Sequence, residues 1–196
     1  MPSPPLVLTL PSSIKLSDEQ FFELCEINGD LCLERHPKTG EIWIMTPAGG
    51  ETGNRNFSLS AQLYIWTKQD GTGIGFDSST GFRIEGASRE PMSPDAAWIR
   101  LDRWNALTPE QRQKFPPICP DFVVELRSPS DTLKSLREKM QEWVRLGVKL
   151  GWLLDRTGRN VYVYGCDRAE TCLENPQTVS GDPLLPGFQL DLREIW

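Results

Sequence analysis

Apolar residues along this chain switch between two periods, and the switches mark its elements. Phe21, Leu24 and Cys25 recur at helical spacing behind Ser17-Asp18-Glu19-Gln20, where Ser17 and Gln20 have the spacing of a capping box and Asn28-Gly29 closes the helix. Residues 30–35 and 41–46 alternate around Pro37-Lys38-Thr39-Gly40, which predicts a β-hairpin. Gly49-Gly50-Glu51-Thr52-Gly53 opens a second helix to about residue 69, with Phe57, Leu59, Leu63 and Trp66 as its apolar positions. One or two strands follow over about 73–85, broken at Asp77-Ser78-Ser79, and residues 95–100 form another.

Residues 104–115 read as an exposed insertion, with a capped helix start at Thr108-Pro109-Glu110-Gln111. Residues 120–127 are the next strand. Ser128-Pro129-Ser130-Asp131 stops it and offers N-caps for a helix over 132–146, closed by Gly147. Residues 150–155 and 160–164 flank Arg156-Thr157-Gly158 as a final hairpin, and the tail around 185–190 packs back as loop and short strand. From Glu51 the order is helix, two or three strands, helix, strand. That order predicts an α/β fold with a mixed central sheet flanked by helices, preceded by an N-terminal helix and hairpin. A chain of 196 residues suffices for one domain over 1–196, with 1–16 as an N-terminal extension and a core of about 51–165.

Composition narrows the chemistry. At 38% hydrophobic and 24% charged residues the chain reads as an ordinary globular protein. No apolar run approaches the roughly 20 residues of a membrane span, and no signal peptide is readable, so a cytoplasmic location without membrane contact is expected. Five cysteines, an odd number with no Cys-x-x-Cys spacing, indicate neither a disulfide framework nor a zinc site, and most are expected to be buried and inert. His36, the only histidine, precedes Pro37 in the hairpin turn. Acid–base chemistry must therefore run on carboxylates, lysine or metal-bound water. The net charge of −6 disfavours a protein that coats nucleic acid, while leaving room for an enzyme with a local basic groove.

One residue stands out against this background. Glu125 lies inside Phe122-Val123-Val124-Glu125-Leu126, a run that reads as a buried strand, where glutamate is rare without a partner. Asp121 is on the same strand face, but four residues span about 13 Å, too far to share one ion. A neighbouring strand is about 4.8 Å away, and Asp95, in Ser93-Pro94-Asp95, is the natural partner there. Two such carboxylates suit Mg2+ or Mn2+. On the following helix Leu133, Leu136, Met140, Trp143 and Val144 form the stripe that faces the sheet. Lys139 lies on its flank, from which a long stem reaches back toward the end of the Glu125 strand. Arg137 lies on the other flank, and Arg127 follows Glu125 by two residues.

The set Asp95, Glu125-x-Arg127 and helical Lys139 resembles the PD-(D/E)xK nuclease arrangement, with the strand lysine moved to a helix. More specifically, the stretch from Cys119 to Asp131 resembles the Uma-two family, of cyanobacterial type. So do Lys139 to Trp143, Gly147 to Asp155, and Leu185-Pro186-Gly187, and the likeness runs from about Phe21 to Trp196. The resemblance implies a restriction-endonuclease-like core and a divalent-metal-dependent endonuclease that hydrolyses phosphodiester bonds in DNA. It implies that Asp95 and Glu125 bind the cation, that Lys139 replaces the strand lysine, and that Glu51 stands where related enzymes carry another acid. Arg127 departs from the pattern, because arginine fills the usual lysine position and cannot act as a base.

Structural readings compete at each position. Asp95 could cap a turn, Glu125 could pair with Arg127 or Arg137, Lys139 could be solvated, and Glu51 could serve only the helix dipole. Ser128 reads as a helix cap. The functional alternative is a non-catalytic module of the same fold that binds DNA or protein, as a homodimer in the commonest symmetry.

Overall fold

The computed structural model describes residues 6–11, 13–45 and 47–196. Its centre is a six-stranded sheet in the order β4-β5-β6-β7-β8-β9, where β4 is Gly73–Asp77, β5 Ala96–Arg100, β6 Phe122–Leu126, β7 Leu150–Asp155, β8 Asn160–Gly165 and β9 Arg168–Glu174. Only β6 and β7 run parallel, so the sheet is mixed, as the alternation of elements implies. Their connection passes through helix α5, Leu133–Leu146, the crossover that a parallel pair requires. The hairpin over residues 150–164 is not the last of the sheet, because β9 adds a further antiparallel strand beyond it.

All five residues of β6 are buried, so both sheet faces are covered there. Phe122, Val124 and Leu126 face one core with Leu59, Leu63 and Trp66 of helix α2, Gly50–Asp70. The C-terminal tail completes that layer through Leu185, Phe188, Leu190 and Ile195. It carries strand β11, Gln189–Asp191, paired with β10, Thr178–Ser180. Phe188 stacks on Trp152 with centroids 5.8 Å apart. Val123 faces the second core, against Leu136, Met140 and Trp143 of α5. Full burial of each such side chain contributes about 1.5–3 kcal/mol, which fixes both helices against the sheet.

The predicted helix ends hold. Ser17 and Gln20 form the capping box of α1, Asp18–Ile27, and Gly71 and Gly147 end α2 and α5 in the left-handed conformation. Phe57 corrects the reading of α2: it is 74% exposed, because the buried stripe passes through Leu59, Leu63 and Trp66 without it. The cap of α5 is Thr132, whose side chain accepts from the Ser135 N–H, while Ser128 bonds Asp131 and Ser130 within the loop. Two short helices, α3 (Leu101–Asn105) and α4 (Pro109–Gln113), make up the insertion and bury no residue.

The N-terminal hairpin forms from β2, Cys32–Arg35, and β3, Ile42–Met45; Thr46, which the sequence reading placed in it, lies outside the described residues. The N-terminal extension supplies a third strand, β1, Leu6–Leu8, on the other side of β3. Phe21 of α1 packs with Leu33 and Ile42 in a small core of its own. Arg35 exchanges backbone hydrogen bonds with Glu90, which ties this sheet to the segment leading into β5. His36 stays in its turn, where its Nδ1 accepts from the Lys38 and Thr39 N–H groups. Burial pushes the Cys25 and Cys119 thiols up, to about 11 and about 12, but Cys32, Cys166 and Cys172 are exposed, contrary to the expectation for most of the five.

Candidate functional site

Sheet register brings the two suspected acids together. Ala96 pairs with Val124 across the antiparallel β5–β6 ladder, and the Asp95 N–H donates to the Val124 carbonyl at 3.0 Å. Asp95 thus lies beside Glu125, at the end of β6 where α5 begins. Helix α2 also begins at this end, since its far end leads into β4, whose Gly73 pairs with Arg100.

Each oxygen of Asp95 is held. The Asn56 amide of α2 donates to Oδ1 at 2.9 Å, and the Leu126 N–H donates to Oδ2 at 2.6 Å. Glu125 is 3% exposed and is held from the α5 side. Its Oε1 accepts from the Trp143 indole N–H at 2.9 Å and lies 2.8 Å from Lys139 Nζ, which also donates to Oε2 at 3.0 Å. Lys139 completes its set on the Ser93 carbonyl at 2.9 Å. The flank lysine of α5 therefore reaches the strand end, as its helical phase predicts.

Electrostatics mark the pair as costly to ionise. Burial pushes the Glu125 carboxyl up to about 7; Lys139 pulls it down, while the neighbouring Asp95 charge adds to the rise. Burial also raises Asp95, against the Leu126 N–H and the Lys139 charge. For Lys139, burial favours the neutral amine, but Glu125 and Glu34 outweigh it and hold the ammonium above its ordinary value. Each partner thus offsets part of the cost that burial places on the other's charge.

Several members of this cluster escape a reading of the sequence. Asn56 shares the α2 face of Leu59, Leu63 and Trp66 at spacings of three, seven and ten, so a polar residue on an apolar stripe was the available signal. Trp143 reads as core and is core, with its one polar atom spent on Glu125. Glu34 of β2 is buried, pairs with Arg89 at 3.1 Å and adds its charge near Lys139; nothing local in its strand announces it.

The remaining candidates lie apart from the pair. Glu51 sits on the first turn of α2, 80% exposed, on Arg55 at 3.1 Å and Arg156 at 3.5 Å, and no bond among the described residues links it to Asp95 or Glu125. Arg127 turns to Asp155 at 2.9 Å and Arg137 to Glu170, so neither is the partner of Glu125. Asp121 is fully buried at the opposite end of β6, between Arg103 at 2.8 Å and Lys149 at 2.7 Å, and accepts from the Arg100 N–H. It is a structural acid there. Among the described residues no three His, Cys, Asp or Glu side chains gather at metal-binding spacing. A groove of about 220 Å³ runs between α1, α4 and Arg83, and contains neither Asp95 nor Glu125. No helix of the described residues is long and apolar enough to cross a membrane.

The chain is similar to a "putative nuclease belonging to DUF820" from Anabaena variabilis, whose crystal structure superposes with a TM-score of 0.70 at 16% identity, over 92% of this chain and 97% of that one. At that identity the likeness shows the fold alone. None of the curated proteins compared with it matches. The family model described as "Putative restriction endonuclease" matches residues 18–193, and the chain belongs to that family, Uma2.

Proposed function

We propose that this protein is a divalent-cation-dependent endonuclease that hydrolyses phosphodiester bonds in DNA at Asp95, Glu125 and Lys139. The observation that carries the reading is the junction of β5, β6 and α5: a buried and a half-buried carboxylate on neighbouring strands, with a lysine ammonium on the buried one. Membership of a family with a nuclease-type description supports it.

The donor set fits Mg2+ or Mn2+. Asp95 and Glu125 offer hard oxygens with lone pairs beyond those already bonded, the kind of ligand these cations select. The Oδ1 of Asn56, whose amide nitrogen binds Asp95, is a buried acceptor that receives no hydrogen bond among the described residues. Asp95 and Glu125 would hold the ion, which when bound supplies Lewis acidity and a more acidic water.

The protein's own groups do the rest. Trp143 and the Leu126 N–H fix the two carboxylates, so that little reorganisation accompanies binding. Lys139, anchored on Ser93, places a positive charge where negative charge develops on a phosphoryl oxygen. Arg127 cannot take a proton and stays on Asp155, so the lysine role falls to α5. Glu51 acts one step removed, by holding Arg55 and Arg156 at the rim where a phosphate backbone would approach.

The test is direct. Purified protein with Mg2+ or Mn2+ is expected to nick or cut at least one of single-stranded, duplex and branched DNA, and Glu125→Ala is expected to abolish this. Absence of cleavage of all three with either cation would leave a binding module of the same fold.

A further inference from the structure

Asn56 has two polar atoms and only one of them is used. Its Nδ2 donates to Asp95 Oδ1 at 2.9 Å, and its Oδ1 is buried without a hydrogen-bond donor among the described residues. A buried amide oxygen left in that state carries an uncompensated desolvation penalty. The amide is not free to turn over, because the opposite orientation would set its oxygen against the Asp95 carboxylate. Its position is also firm: α2 is pinned on the same face by Leu59, Leu63 and Trp66. The fold thus holds a neutral oxygen donor in a fixed direction beside the acid, on the element where Glu51 faces outward onto arginines.

We infer that Asn56 is a third protein ligand of the divalent cation, contributing its amide oxygen beside Asp95 and Glu125. This rests on the cation reading given above. An amide oxygen is an ordinary ligand for Mg2+ and Mn2+ and adds no charge. That matters where burial already opposes ionisation of two carboxylates, since a third acid would deepen the repulsion. A neutral ligand completes the set without that cost. The same residue then fixes Asp95 through its nitrogen and meets the ion through its oxygen.

The experiment is calorimetric titration of the full chain with Mn2+ at pH 8, on wild type, Asn56→Ala and Asn56→Asp. Thermal melts in EDTA accompany it, to establish that each variant folds. Wild type is expected to bind Mn2+, and Asn56→Ala about tenfold more weakly. Asn56→Asp is expected to bind at least as tightly as wild type, to melt lower in EDTA because two carboxylates then face each other, and to gain more from Mn2+. Equal affinity of wild type and Asn56→Ala would overturn the inference while the cation reading stands. So would an Asn56→Asp protein that binds as weakly as Asn56→Ala, the result expected if Asn56 only positions Asp95. A wild type that binds no Mn2+ would overturn the cation reading itself, and this inference with it.

Discussion

Lys139 reaches from the flank of α5 to Glu125 on β6, with Nζ 2.8 Å from Oε1 and 3.0 Å from Oε2. Among the described residues neither has another ionic partner at that distance. Trp143, one helical turn further along α5, donates to the same carboxylate at 2.9 Å. One helix therefore both neutralises and orients a buried acid, and does so at the end of the sheet where Asp95 lies.

Removing the lysine should expose how much the acid depends on it. Lys139→Met keeps most of the stem and removes the charge, leaving Glu125 buried and unpaired. Breaking a buried pair costs about 3–5 kcal/mol, and Lys139 is 29% exposed, so the lower part of that range is expected. Urea unfolding at pH 8 measures it. At pH 5.5 the cost should shrink, because Glu125 then protonates and no longer needs a counter-charge.

The pH dependence of the site has two opposite signs. Glu125 rises from 4.5 to about 7 on folding, so its contribution to stability is present at low pH and is lost as pH climbs from about 4.5 through about 7. Asp95, raised in the same direction, adds to the loss. Cation binding runs the other way, because the ion competes with protons for both acids. Mn2+ is therefore expected to raise the melting temperature more at pH 8 than at pH 6, in paired scans against EDTA. An equal rise at both would mean that neither acid takes up a proton in that window.

Asp121 is a buried carboxylate and Asp95 a half-buried one, and their substitution should read differently. Asp121→Asn weakens the pairs to Arg103 and Lys149, which are 34% and 44% exposed and can turn to water. A loss of about 1–3 kcal/mol is expected in urea unfolding, with full Mn2+ affinity in the folded protein. Asp95→Asn should lower Mn2+ affinity and also cost some stability, since an amide can accept only one of the two hydrogen bonds that Asn56 and the Leu126 N–H give the carboxylate.

Much of this was legible in the residues, for identifiable reasons. Glu125 was conspicuous because a charge in a buried strand demands a partner. Strand spacing alone excluded Asp121 and selected Asp95, and helical phase placed Lys139 within reach. Legibility failed where polarity masked a buried face. Phe57 was placed on the α2 stripe because it is the most apolar residue near its start, when the stripe in fact begins with Asn56. Glu34 comes from a separate sheet, tied to the segment before β5 by the Arg35–Glu90 bridge, a contact between residues 55 apart, and by its own pair with Arg89. β9 follows the last hairpin and carries Glu170, Thr171 and Glu174 among its seven residues, so its apolar signal is weak.

Close packing makes one further prediction, independent of function. A Cβ on Gly73 would lie 2.2 Å from the Trp98 ring, while one on Gly49 would meet nothing within 4 Å. Gly73→Ala is expected to destabilise by about 1–3 kcal/mol through overpacking. Gly49→Ala should change stability by less than that, although it replaces the N-cap residue of α2, and thermal melts of the two proteins side by side distinguish them.

The central claim is that Asp95 and Glu125 form a cation-dependent centre that cuts DNA. Its most direct measurement is the nicking of supercoiled plasmid by wild type and Glu125→Gln, each with Mn2+ and with EDTA, after both are shown to fold. Open-circular product is expected from wild type with Mn2+ only, and none from Glu125→Gln. Nicking that persists in EDTA, or that Glu125→Gln retains at the wild-type rate, would contradict it.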